Sequence, residues 1–323
     1  MLAMSLATKK LVGLLRSMKN FRIIRRDDFM VEVFIVSAEP PKDIISLKKA
    51  IENKLLFVVD TEEVNKVVVE NKSDRFVLLN RGDVLVGGKQ NRTILTPIVI
   101  PPRITFEIPV DCVEAGRWRI TTTGEVIIGL RRAHFAKTRR LPMYLRAKLL
   151  SKEIKFFSRI EYFADATGQG QSEIWRDINE SSEELSAISE TSDVTEILRH
   201  VGTDIDPDLK GITKRCRAAI YYYRGRIIAL EIYLLDDARE ILVDNIRGAY
   251  ADYLYYERKR IKTPEGARNL EELLDELKKS KIRESQRIGA KRILNIETKH
   301  YVGQLVEVDG KPVVLEIKLR VGE

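Results

Sequence analysis

Two hydrophobic periods run along this chain, and where one replaces the other marks its organisation. Leu2, Leu6, Leu11, Leu14, Leu15 and Met18 recur at near-helical spacing with Lys9, Lys10 and Arg16 between them, which predicts an amphipathic basic helix at the start. Met30 to Val36 then reads as a strand, Asp43 to Asn53 as a helix and Leu55 to Val59 as a strand. From Val64 to about Leu130 the period falls to two. Ile104, Phe106, Ile108 and Val110 alternate with Arg103, Thr105 and Glu107, the pattern of a half-buried strand. The short β-branched runs Val67 to Glu70, Arg75 to Leu79, Asp83 to Val86 and Arg92 to Ile100 precede it.

Helical spacing returns over Leu141 to Arg159 and Gln171 to Ser189. A hairpin follows, Cys216 to Tyr223 and Arg226 to Leu234 about Arg224-Gly225. Asp237 and Glu240 have capping-box spacing for a helix to about Arg258 that turns Leu242, Ile246, Ala249, Tyr250 and Tyr253 inward. A charged helix over Arg268 to Ser280 precedes a closing hairpin, Val302 to Val308 and Val313 to Val321 about Asp309-Gly310. In its second strand Glu316, Lys318 and Arg320 fall on the face opposite Val313, Leu315, Ile317, Leu319 and Val321. The sum is an α+β protein. Its expected parts are an N-terminal extension (1–60), a β-rich, sandwich-like lobe (61–135) and a two-layer α/β lobe (136–323) ending in a β-hairpin.

Composition narrows the setting. The chain's 323 residues give ample length for a core, so Cys112 and Cys216, in unrelated segments, need not staple it. Lys9 and Lys10 interrupt the apolar start before a secretory segment forms, and no later run approaches about eighteen apolar residues. A cytoplasmic protein without a membrane span is expected. Charged residues make up 32% of the chain, with few Cys and Met, which is the bias of a thermophile.

Charge is unevenly placed. Arg131 to Arg159 holds ten basic residues against one acid, and Lys9 to Arg26 seven against none, whereas Glu173 to Asp208 holds eleven acids against two arginines. The first segment interleaves cations with His134, Phe135, Tyr144, Phe156 and Phe157, and cations that neutralise phosphates beside rings that stack on bases suit nucleic acid. Arg131, Arg132, Lys137, Arg139, Arg140, Arg146, Lys148 and Lys152 are the candidate contacts. Pairing of the basic segment with the acidic one, or an ordinary solvated face, explains the same composition.

Gly87-Gly88-Lys89-Gln90-Asn91-Arg92 is the most distinctive stretch, with glycines that let backbone amides approach an anion and four polar side chains to add donors. Gly88, Lys89, Gln90, Asn91, Arg92 and Arg117 form the candidate anion site. The stretch is not a P-loop, since the lysine comes one residue late and Gln90 stands where Ser or Thr should meet magnesium; a glycine turn satisfying buried backbone is the plainer reading. Cys112 reads as a buried small hydrophobe, and Glu114 as an ion-pair partner of Arg92 or Arg117. His134, His200 and His300 lack metal-site spacing, so neither metal nor cofactor is expected and no catalytic residue is assigned.

Gly87 to Arg92, followed by Ile108-Pro109-Val110-Asp111-Cys112-Val113-Glu114 and Arg117-Trp118, resembles the ADP-ribosylglycohydrolase, rhodanese and phosphatase-associated protein domain family. Gln171 to Trp175, Gly225 to Tyr253 and Gly303 to Leu319 extend the likeness over about residues 60–320. The resemblance implies a link to ADP-ribose or phosphate metabolism and carries no settled catalytic role. The leading expectation is therefore a non-catalytic protein that binds RNA or a ribosomal subunit by occupancy, as a homodimer. The alternative is an enzyme or sensor for a nucleotide-like anion bound near Gly87 to Arg92.

Overall fold

A computed structural model describes residues 5–60, 65–87, 90–114, 135–141, 143–156, 171–186, 193, 204–288 and 291–320. It is strand-rich α+β, and the chain divides into two compact units. Residues 1–42, 150–157 and 205–323 form one; residues 43–149 and 158–204 form the other.

The first unit is built on an eight-stranded sheet. Its strands are β1 (Met18–Arg26), β2 (Phe29–Val36), β12 (Cys216–Tyr223), β13 (Arg226–Tyr233), β14 (Lys281–Ile288), β15 (Lys291–Glu297), β16 (Tyr301–Val308) and β17 (Lys311–Leu319). They lie in the order β1-β2-β12-β13-β17-β16-β15-β14, every neighbouring pair antiparallel. Residues expected to form an N-terminal extension thus supply two strands of the main sheet. Alternation is hard to see in β1 because a bulge between Asn20 and Arg22 shifts its register.

Helix α1 (Leu6–Arg16) ends where Ser17 donates its hydroxyl to the Leu14 carbonyl. Its Leu11, Leu14 and Leu15 join Leu273, Leu274 and Leu277 of α7 (Leu270–Lys278) in a core with Ile220, Leu230, Leu315 and Ile317 of the sheet. On the opposite face lies α6 (Ala238–Arg258), which buries Leu242, Ile246, Ala249 and Tyr253, while Tyr250 is half-buried. Asp237 makes no side-chain capping bond to it. The expected helix-on-sheet pairing is present, with a second helical layer on the other side. A strand covered on both faces loses its polar alternation, and all eight residues of β16 are buried.

The second unit carries a six-stranded sheet in the order β11-β7-β8-β10-β5-β4 and a three-stranded sheet in the order β3-β6-β9. These are β3 (Ile44–Ser46), β4 (Leu56–Asp60), β5 (Lys66–Asn71), β6 (Phe76–Leu79), β7 (Asp83–Gly87), β8 (Arg92–Ile94), β9 (Ile98–Ile100), β10 (Thr105–Cys112) and β11 (Phe135–Arg140). Val58, Val67, Leu85, Ile108 and Val110 from the larger sheet share one core with Ile45, Leu79 and Ile100 from the smaller, a sandwich arrangement. The run from Arg92 to Ile100, expected as one strand, is two. Pro97 lacks an N–H for a ladder, and across it the chain passes from one sheet to the other. Asp43 to Asn53, expected to be wholly helical, begins as β3 before α2 (Leu47–Glu52), whose N-cap is Ser46. Helix α3 (Met143–Phe156) and α4 (Gln171–Glu184) fall close to their expected spans; the short α5 (Asp206–Leu209) and strands β1, β11, β14 and β15 were not expected.

Candidate functional site

Three strands meet at Arg92. In the ladder Arg92 lies between Leu85 on β7 and Cys112 on β10, and directly opposed residues share a face. All three are fully buried. The guanidinium therefore stands on the apolar side of the sheet, two residues before Ile94, and its contacts are few. Nη1 donates to Gln90 Oε1 at 2.9 Å and to Cys112 Sγ. Cys112 Sγ in turn donates to the same Gln90 oxygen at 3.0 Å. Gln90 is held from its other end, since Nε2 donates to the Glu114 carbonyl at 2.9 Å. The Glu114 carboxylate accepts the Asn91 N–H at 3.0 Å, and the Val113 N–H bonds the Asn91 carbonyl at 3.0 Å. Of the two ion-pair partners expected for Glu114, Arg92 does not pair with it, Oε2 meeting the Asn91 N–H instead, and Arg117 lies outside the described residues.

Two guanidinium nitrogens of Arg92, Nε and Nη2, are buried without a hydrogen-bond partner among the described residues. Buried polar atoms nearly always find partners, and an unsatisfied cationic one costs more than a neutral one. Of the other candidate anion ligands, Gln90 and Asn91 are buried beside Arg92, whereas Gly88, Lys89 and Arg117 lie outside the described residues.

The basic segment is dispersed. Arg131 and Arg132 lie outside the described residues; Lys137, Arg139 and Arg140 fall on β11, antiparallel to β7, and Lys152 falls on α3. Lys148 is half-buried. Arg146, expected as a phosphate contact, is fully buried: its Nε donates to the Leu141 carbonyl at 3.1 Å, and its Cγ and Cδ fill the space where a side chain on Gly82 would stand. A guanidinium enclosed in that way does not meet a phosphate backbone. Cations are displayed instead on β1, where Lys19 and Arg25 are exposed and Arg22 half-buried around Phe21 and Ile23, which are 39% and 54% exposed. Arg26 there pairs with Asp208 at 2.7 Å, a link between the basic start and the acidic segment.

The family model of the ARG and Rhodanese-Phosphatase-superfamily-associated Protein domain, ARPP-1, matches residues 27–317. The chain belongs to this family. No curated protein and no solved structure matches it. The ARPP-1 match begins at the β1–β2 turn, so it takes in both units and the whole Arg92 cluster. No helix among the described residues is long and apolar enough to cross a membrane, and no group of potential metal ligands occurs among them.

The ARPP-1 domain also holds a polar cluster that the sequence did not disclose. Glu231, Glu316, Gln304 and Asn295 lie directly opposite one another across β13, β17, β16 and β15, all buried. Two carboxylates facing each other repel unless donors separate them. Lys318 donates to Glu231 Oε1, while Tyr221 and Asn245 of α6 donate to Oε2 at 3.1 and 2.7 Å. Tyr233 donates to Glu316 at 3.0 Å and Gln304 to Asn295 at 2.8 Å. Glu316 and Lys318, which alternation places opposite the apolar face of the closing strand, are enclosed as well. All eight residues of β16 are buried, Gln304 and Glu307 included, as expected of a sheet covered on both faces, and no sequence signal marked the cluster. Each carboxylate of this cluster thus has donors, whereas Nε and Nη2 of Arg92 have no partner among the described residues.

Proposed function

We propose that this ARPP-1 protein is a binding protein that senses a small, nucleotide-like anion at Arg92 and acts by occupancy. The observation behind this reading is the buried guanidinium with Nε and Nη2 unpartnered among the described residues. An anion there would replace a desolvated cation by an ion pair with two charge-assisted hydrogen bonds. A thermal-shift screen tests it. ADP-ribose at one hundred times its dissociation constant adds about 2.7 kcal/mol of stability. That gain disappears in Arg92→Lys, whose single ammonium cannot donate two parallel bonds. Equal stabilisation of both proteins contradicts the reading.

A second reading, RNA binding, draws support from β1, where Lys19 and Arg22 have no ion-pair partner among the described residues and flank exposed Phe21. On this reading affinity for single-stranded RNA falls steeply with salt, and the Lys19→Glu/Arg25→Glu double variant loses it. Binding that is insensitive to both removes this reading and leaves the first intact.

A further inference from the structure

Resting on the anion reading above, we infer that the ligand of Arg92 is a singly charged oxyanion, taken side-on by Nε and Nη2 through two coplanar oxygens. A guanidinium is planar, and its donors form separate edges. Nη1, on the side nearer the Cδ atom, is occupied by Gln90 Oε1 and Cys112 Sγ. The two nitrogens without partners, Nε and Nη2, lie together on the remaining side edge. Their N–H bonds run parallel there, which matches the oxygen pair of a carboxylate or a phosphoryl group. A ligand with one acceptor atom, such as a halide, leaves one of these donors unpaired.

The edge is also held in place before any ligand arrives. Gln90 Oε1 accepts from both Arg92 and Cys112, and Gln90 cannot turn away because its amide nitrogen bonds the Glu114 carbonyl. The guanidinium is thus clamped at one end, while its other edge is buried without a partner among the described residues. Preorganisation of this kind spares a ligand the entropy of ordering a long side chain.

Charge follows from burial. Arg92, Leu85 and Cys112 are each 0% exposed, and Ile94 beyond them is equally buried. The Glu114 carboxylate, 3% exposed, lies in the same cluster and already offsets the guanidinium charge in this apolar setting. Every negative charge on a ligand therefore adds to the net charge there and is repelled by Glu114, so a dianion costs more than a monoanion. A carboxylate and a phosphodiester-type group, including each phosphoryl of a nucleotide pyrophosphate, share the required chemistry. A terminal phosphate in its dianionic form does not.

The full-length protein, 15N-labelled at neutral pH and fixed ionic strength, is titrated with acetate, dimethyl phosphate, sulfate and chloride while the backbone amides of Gln90, Arg92 and Cys112 are followed. No variant is needed, so a folding defect cannot obscure the outcome. Saturable shifts at those amides with acetate, with dimethyl phosphate or with both support the inference, and which of the two acts names the source of the oxygens. Sulfate is expected to bind at least about tenfold more weakly, and chloride not to saturate. Sulfate binding as tightly as the monoanions overturns the single-charge inference while the anion reading stands. If none of the four shifts these amides but ADP-ribose still stabilises the protein through Arg92, side-on recognition of a simple oxyanion is overturned alone; if ADP-ribose fails too, both readings fall.

Discussion

Burial of Lys291 lowers its pKa from the ordinary 10.5 to about 8, and this sets a measurable dependence on pH. Below pH 8 the folded protein bears the full cost of an enclosed ammonium. Between pH 8 and 10.5 the unfolded chain holds the proton more firmly than the folded one, so stability rises with pH across that window. Lys291→Met should therefore be more stable than the parent at pH 7 by about 2 kcal/mol, an advantage that shrinks as pH passes through the window. Urea denaturation at pH 7 and pH 10 checks it. Gly82 makes the opposite case, because its φ of +76° is left-handed and an added Cβ meets Arg146 Cγ at 2.5 Å. Gly82→Ala should cost about 1–3 kcal/mol in the same assay. At this scale the sequence singled out Gln90 and Arg92 as anion ligands and Cys112 as a buried small hydrophobe, without indicating that the three would meet. It did not reveal that Arg92 is enclosed, since that depends on β7 and β10 closing on either side of β8. Nor did it reveal that Arg146 is interior, because a basic run looks alike whether its cations face solvent or a glycine.

At the scale of elements, α1 tests whether the start of the chain serves this protein's own core. Leu11 and Leu15 are fully buried against the sheet and α7, so Leu11→Ala should lose about 3 kcal/mol, read as a lower urea midpoint at unchanged slope. A helix reserved for a partner would lose little. Helical periodicity made α1 legible, and turn pairs such as Arg224-Gly225 and Asp309-Gly310 made the hairpins legible. Strands β11, β14 and β15 were not, because their charged residues mask alternation and their pairing is set by distant partners. Burial of the polar face of β17 was not legible for a related reason: α6 and its Asn245 cover that side, and no local pattern in Lys311–Leu319 reports a helix about seventy residues earlier.

For the whole molecule, the net charge of +8 suggested a polyanion partner, yet Arg146 turns inward and Arg26 is paired with Asp208. Net charge describes long-range attraction and does not locate a site. The proposed anion site rests instead on Arg92 of the ARPP-1 domain, whose Nε and Nη2 are buried without a partner among the described residues. Its most direct test is a crystal structure of the full chain grown with ADP-ribose, read at Arg92. The account predicts two oxygens of the ligand within hydrogen-bond distance of Nε and Nη2, with Gln90 and Cys112 still on Nη1. A carboxylate of the chain itself on that edge, with the ligand elsewhere or absent, would contradict it.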